Sequence, residues 1–226
     1  MLKINYNTNI YRFKEIVQDY LFDNNKNLPL EHIHLLHDTQ GKKLGDREVF
    51  TREKDQSTEI HKKFYELSRT DSFTKLYDSF ILNIVKPIYN ESIVYQSIPT
   101  FRIHMPNNIA VGEFHKDKNY RDVTWAESVR EDNFFLPFTN AFDTNTVWAE
   151  SVEDKGDFSP ITCDYGQIVQ WDGSNLNHGN KINTTRVTRV SVDFRVIRYS
   201  NYKPSDHGSI NAKSKFQIGG YYKLLQ

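Results

Sequence analysis

Cysteine is nearly missing from this 226-residue chain. Cys163 stands alone, so neither an internal disulfide framework nor a multi-cysteine zinc site can be built, and the usage fits a reducing compartment. Net charge is missing as well: 29 basic and 29 acidic side chains cancel and the pI is about 7.1. That leaves no global basic field to gather nucleic acid or an anionic membrane. Long hydrophobic runs are scarce. The N-terminal MLKINYNTNIYRFKEIV breaks its apolar residues with Asn and Lys and supports neither a signal peptide nor a membrane span. These absences predict a soluble, cytoplasmic protein with neither a nucleic acid nor a membrane as partner, and they leave the oligomeric state open.

Aromatic side chains are plentiful. Fifteen Phe, 13 Tyr and 3 Trp each offer roughly 150–250 Å² to a core, so a mean hydropathy of -0.67 does not signal disorder, and the bias suits half-buried strands. The length fits one structural domain. Its first ninety residues read as a helical support region. Ile10, Phe13, Val17, Tyr20 and Leu21 recur at helical spacing behind the possible cap Asn9. Phe73, Leu76, Tyr77, Phe80, Ile81, Ile84 and Val85 predict a longer helix from Asp71 to Pro87. Between them, LGDREVFTREKDQST reads as a surface loop leading into a helix from Thr58 to Leu67. Residues 91–226 then read as an all-β core with a C-terminal tail, from the runs SIVYQSI, TFRIHM, IAVGEFH, FFLPFT, NTVWAES, ITCDYGQIVQW and TRVTRVSVDFRVI. The tail could fold back over the domain or act as a lid. WAESV occurs twice, at Trp125 and Trp148, without an extended repeat around it.

The last strand carries an apolar face of Val187, Val190, Val192, Phe194 and Val196 against a polar face of Arg189, Ser191, Asp193 and Arg195. Those four either meet water or line a polar cavity, since unpaired charge is costly to bury. Upstream, His115 and Asp117 stand two residues apart at the end of an expected strand, and His178 follows another, Gly166 to Trp171. A His-x-Asp pair with a remote His is the ligand set of the two-histidine, one-carboxylate triad, which leaves coordination sites open. By itself this set reads equally as a chance hydrogen-bonded pair. Arg189 lies eleven positions beyond His178, and Ser191 shares its face. A guanidinium beside a hydroxyl clamps a carboxylate, and a metal with open sites near such a clamp describes iron with 2-oxoglutarate.

The stretch Pro99 to Ile197, with PTFRIHMPNN, GEFHKDKNY, DNFFLPFTNAFDTNTVW, DGSNLNHGNKIN and TRVSVDFRV, resembles the Fe(II)/2-oxoglutarate-dependent oxygenases, particularly the streptomycin-biosynthesis StrG-like group. The resemblance implies a double-stranded β-helix, a cupin-like jelly-roll barrel with helices supporting one sheet. It implies His115, Asp117 and His178 as iron ligands, Arg189 and Ser191 on the distal carboxylate of 2-oxoglutarate, and O₂ as the further cosubstrate, with succinate and CO₂ released. The carboxylate Asp117 speaks against the halogenase branch and for hydroxylation, desaturation or ring closure. The substrate class it suggests is a small polar metabolite: an amino acid, a peptide or a sugar-like molecule. Asn133, in a strand placed beside the iron, could contact 2-oxoglutarate or substrate, or simply end a turn. Arg102, His104, Trp148 and Arg195 are candidate substrate contacts, with Trp148 otherwise a core aromatic and Arg195 otherwise an ion-pair partner of Asp193. His32, His34 and His37 in EHIHLLHD read as a solvated helix face without a carboxylate. The alternative class is a non-catalytic jelly-roll module that keeps a metal or small acid without turnover.

Overall fold

The computed structural model describes residues 1–22, 28–35, 59–111, 113–120, 125, 129–209 and 214–226. Among the described residues of the first part of the chain three α-helices form: α1 (Phe13–Leu21), α2 (Glu59–Leu67) and α3 (Asp71–Phe80). Helix α1 starts later than its apolar spacing suggests. Asn7 captures the preceding turn, its side chain accepting from Asn9 N at 2.9 Å and its carbonyl from Tyr11 N at 2.9 Å, which leaves Ile10 exposed and outside the helix. Helix α3 is capped by Thr70 Oγ1, which accepts from Phe73 N. It runs on through a π turn, Ile81–Val85, and a 3₁₀ turn, Lys86–Ile88, where Pro87 has no N–H to extend it. His32 and His34 lie in a 3₁₀ segment, Leu30–Leu35, and His34 Nδ1 bonds Thr188 Oγ1 at 2.7 Å. His37 and the charged stretch 44–58 lie outside the described residues.

Twelve strands follow the chain among the described residues: β1 (Leu2–Asn5), β2 (Ile93–Gln96), β3 (Thr100–His104), β4 (Glu131–Pro137), β5 (Val147–Ala149), β6 (Ser159–Pro160), β7 (Gln167–Trp171), β8 (His178–Asn180), β9 (Arg189–Arg198), β10 (Gly208–Ser209), β11 (Ser214–Lys215) and β12 (Tyr222–Leu225). The main sheet has the order β1-β7-β4-β9-β2-β12, with β3 also paired to β9. A second sheet runs β6-β5-β8, and β10 pairs with β11. All these pairings are antiparallel. Thus the fold is mainly antiparallel β with helices on one face, and its described strands form separate sheets.

Strand β9 organises the molecule because its two faces serve different neighbours. Val190, Val192, Phe194 and Val196 are buried beneath the helices. Aromatic contacts join the layers: Phe13 stacks on Phe138 at 5.7 Å, Phe64 on Phe101 at 4.2 Å, and Tyr77 meets Phe194 edge-on at 5.5 Å. Val187 is not in this strand, because Asn183 Nδ2 and Thr185 Oγ1 both donate to its carbonyl and hold it in a loop. The C-terminal aromatic run folds back onto the domain: Tyr222 to Leu225 form β12 on β2. Residues 2–5, inside the expected helical region, add the edge strand β1 to β7. Among the described residues no helix is long and apolar enough to cross a membrane.

Candidate metal centre

IAVGEFH, read as a strand, forms none among its described residues. His115 instead makes an isolated bridge to His178, with His115 N donating to His178 O at 2.8 Å and His178 N to His115 O at 2.9 Å. Asp117 then opens a 3₁₀ turn, Asp117–Tyr120. That bridge, not a shared strand, brings the histidines together. The ligand atoms of His115, Asp117 and His178 lie within 4.8 Å of one another, the one such convergence of His, Cys, Asp and Glu among the described residues.

Each partner is oriented. His115 Nδ1 meets Glu113 O at 2.8 Å and His178 Nδ1 meets Leu176 O at 2.9 Å. A carbonyl only accepts, so both protons belong on Nδ1 and both Nε2 lone pairs point inward. Trp171 stands edge-on to His178 at 4.6 Å and fixes its ring plane. Asp117 Oδ2 accepts from Asn133 Nδ2 at 2.8 Å and Arg195 Nη2 at 2.9 Å, while Oδ1 lies 3.4 Å from His115 Nε2 and 3.7 Å from His178 Nε2. Burial opposes the charge on Asp117, but Arg195, His115, His178 and Asn133 outweigh it and hold the carboxyl well below the usual carboxylate range. Burial lowers the pKa of His178 against the pull of Asp117, which favours the neutral, ligating form.

These residues border a cavity between the main sheet and the β5–β8 sheet. Paired residues of antiparallel strands share a face, so the register His104↔Arg189, Arg102↔Ser191 and Asn133↔Arg195 gathers the predicted polar set. Arg189 is 1% exposed, with its guanidinium 5.6 Å from the Phe135 ring centre. Ser191 Oγ is buried and has no hydrogen-bond partner among the described residues. Asp193 bridges two cations, accepting from Arg102 Nε at 3.1 Å and Arg195 Nη1 at 3.2 Å.

Two candidates lie off the cavity lining. His104 is fully buried; its single ring N–H serves the nearer carbonyl, Asn108 O at 2.8 Å from Nε2, and Nδ1 lies 3.3 Å from Asn145 O. Burial and the nearby Arg189 lower its pKa to about 3, so it is a neutral core residue. Trp148 occupies the other face of β5, donating to Asp143 O at 2.9 Å and lying 3.2 Å beneath Lys181 Nζ, while its neighbour Val147 takes the cavity side.

Three further residues shape the site. Asn180 follows His178 by two positions on β8 and so shares its face; its Nδ2 donates to Val111 O at 3.0 Å, and its buried Oδ1 has no partner among the described residues. Strand alternation after His178 is enough to find it. Gly173 O accepts from Asp117 N at 3.0 Å, and a Cβ at Gly173 would sit 2.5 Å from Asn133 Nδ2; in sequence it is only a turn glycine. Glu150, also buried, accepts from the backbone amides of Asp154, Gly156 and Asn177, tying one loop to the residue before His178. Nothing local in the sequence marks it.

The donor set fits a divalent metal held on one side through two imidazole nitrogens and one carboxylate oxygen. Across the cavity, a buried guanidinium and an unsatisfied hydroxyl fit a carboxylate. No protein-family model matches the chain. The streptomycin biosynthesis protein StrG of Streptomyces griseus is 35% identical over 188 residues, spanning 83% of this chain and 86% of that protein. Among solved structures, the non-heme monooxygenase ThoJ in its nickel complex is similar at a TM-score of 0.46 and 10% identity, over 88% of this chain and 73% of that one. HygX from Streptomyces hygroscopicus, with nickel and 2-oxoglutarate bound, is similar at 0.37 and 11%, over 72% and 87%.

Proposed function

The chain belongs to the StrG family, and from that premise we propose that it is an Fe(II)- and 2-oxoglutarate-dependent oxygenase that hydroxylates a small polar metabolite. One observation carries the reading. The converging His115, Asp117 and His178 atoms share a cavity with Arg189 and Ser191 on one face of β9, so metal ligands and a carboxylate clamp open on the same space. A module that only retained a metal or a small acid would have no use for a ligand set with open metal positions facing a carboxylate clamp. The same reading takes the two sheets beside the cavity as parts of a double-stranded β-helix.

When bound, Fe(II) with 2-oxoglutarate and O₂ supplies an oxidant able to act on an unactivated C–H bond, with succinate and CO₂ released. The chain supplies positioning. His115, Asp117 and His178 hold the ion on one side through Nε2, Oδ1 and Nε2. Arg189 and Ser191 grip the distal carboxylate of 2-oxoglutarate and set its depth. Phe135, Val147 and Trp171 provide an apolar wall that limits water. Asn180, with its unmet Oδ1 on the cavity, meets a polar group of the substrate, and Arg102, whose Nε is on Asp193, lines the same space. The part its relative StrG plays in streptomycin biosynthesis supports a small polar metabolite as the substrate class.

Anaerobic addition of Fe(II) and 2-oxoglutarate to metal-free protein should give a weak visible charge-transfer band, and admission of O₂ should give succinate. Arg189→Ala should weaken 2-oxoglutarate binding by about 10- to 100-fold, the scale of a lost hydrogen bond to a charged group, while leaving Fe(II) binding intact. Absence of the band, or the same band in His115→Ala and Asp117→Ala proteins, would overturn the assignment.

A further inference from the structure

The two oxygens of Asp117 have unlike surroundings. Both outside donors, Asn133 Nδ2 at 2.8 Å and Arg195 Nη2 at 2.9 Å, sit on Oδ2. Oδ1 alone faces the two Nε2 atoms, at 3.4 and 3.7 Å. An ion pair by itself would be served by either oxygen; two donors on the same one fix the rotation of the carboxylate. We propose that Arg195 and Asn133 are positioning residues that keep Asp117 a one-oxygen ligand, so that the coordination position its second oxygen could take stays open to 2-oxoglutarate. The proposal rests on the oxygenase reading above and adds to it the residues that guard the open position.

Four features make the tether stiff. Arg195 cannot swing away, because Nη1 is held by Asp193 Oδ2 at 3.2 Å and Asp193 Oδ1 by Arg102 Nε at 3.1 Å. Asn133 and Arg195 are directly paired across β4 and β9 and so reach Asp117 from the same face. The Asn133 amide has one sensible orientation, since a carboxylate oxygen only accepts and must meet the nitrogen. Gly173 makes room for that amide, because a Cβ there would fall 2.5 Å from Asn133 Nδ2. Carboxylates bind metals through one oxygen or two, and a diacid that chelates needs two of the three positions which a facial triad leaves. A carboxylate released from Oδ2 restraint competes for one of them.

The test measures two constants separately under anaerobic conditions: Fe(II) alone binding to metal-free protein, and 2-oxoglutarate binding to the Fe(II)-loaded protein by its visible band. An ordinary supporting contact would cost the metal itself about 10- to 100-fold. The positioning role predicts the opposite split. Asn133→Ala and Arg195→Met should hold Fe(II) within about threefold of the parent yet bind 2-oxoglutarate at least about tenfold more weakly, the free-energy scale of one charged hydrogen bond. Arg195→Lys, which keeps one donor, should recover part of the loss. If Arg195→Met does not fold because Asp117 loses its guanidinium and Asp193 one of its two, Asn133→Ala, which leaves both Arg195 ion pairs in place, decides. Unchanged 2-oxoglutarate affinity in a parent-like metal complex, or a loss that falls on Fe(II), overturns the positioning role and leaves the oxygenase reading standing. A parent protein without a 2-oxoglutarate-dependent band overturns both.

Discussion

Acid should unfold this protein through two buried histidines that cannot take up a proton. His61 on α2 and His104 on β3 are each 0% exposed. Burial, reinforced by Arg102 for His61 and by Arg189 for His104, lowers both from 6.5 to about 3. The folded state therefore refuses a proton that the unfolded chain accepts below 6.5. The stability this represents is complete above 6.5 and is lost as pH falls toward 3. With 1.36 kcal/mol per pKa unit, each histidine costs about 1.4 kcal/mol at pH 5.5 and about 2.7 kcal/mol at pH 4.5. At pH 4.5 the result hardly depends on where the folded value lies below 3.5. Two such groups remove about 5 kcal/mol from a total that is typically about 5–15 kcal/mol. The assay is denaturant unfolding with a chelator present, from pH 7.5 to 4.5, on the parent and on His61→Leu. His61 lies in the aromatic layer, 5.3 Å from Phe101, so its removal leaves the metal ligands untouched. Carboxylates titrate in both proteins and cancel in the difference. The gap between parent and variant should therefore shrink by about 2.7 kcal/mol across that range. A gap that stays constant would refute the claim that His61 is held neutral.

Gly173→Ala should reproduce the binding profile of Asn133→Ala, because the glycine has no left-handed φ and the three atoms nearest the added methyl all belong to the Asn133 amide, the first 2.5 Å away; paired Fe(II) and 2-oxoglutarate titrations check this. Cys163 is fully buried and its thiol is pushed up to about 12 by burial, so an aromatic disulfide reagent should label it only as fast as the protein unfolds; labelling within seconds under native conditions would count against its burial. Phe13 stacks on Phe138 and meets Phe73 and Phe80 edge-on, and Phe13→Ala should cost about 3–5 kcal/mol in a denaturant melt. A cost under about 1 kcal/mol would mean that α1 is not stapled to the sheet through this ring.

What could be read ahead of the structure follows from how far each interaction reaches along the chain. The two faces of β9 were legible because a strand alternates with period two and one of its sides had to be apolar; Arg189 and Ser191 needed no neighbour to be placed together. His115 and Asp117 were legible as residue types at the right offset, but not in their setting. Their closeness comes from a bridge to His178 and a 3₁₀ turn, which no local periodicity encodes. The phase of β5 was not legible at all: Val147, Trp148 and Ala149 are all apolar, so alternation could not say whether valine or tryptophan faced the cavity.

Arg195 shows why the chemistry of a polar face cannot be assigned one residue at a time. Its sequence position allowed a substrate acid or Asp193 as partner, and one of its nitrogens does go to Asp193. Another goes to Asp117, 78 positions away, a pairing with no signature in either segment. With both terminal nitrogens engaged by carboxylates, its charge is, on the proposal above, committed to orienting a ligand. Recognition of the substrate then falls to groups whose valence is unmet, such as the acceptor Oδ1 of Asn180, whose amide nitrogen is already taken by Val111 O. An acceptor fixed in this way calls for a hydroxyl or ammonium on the substrate, since a carboxylate offers it nothing.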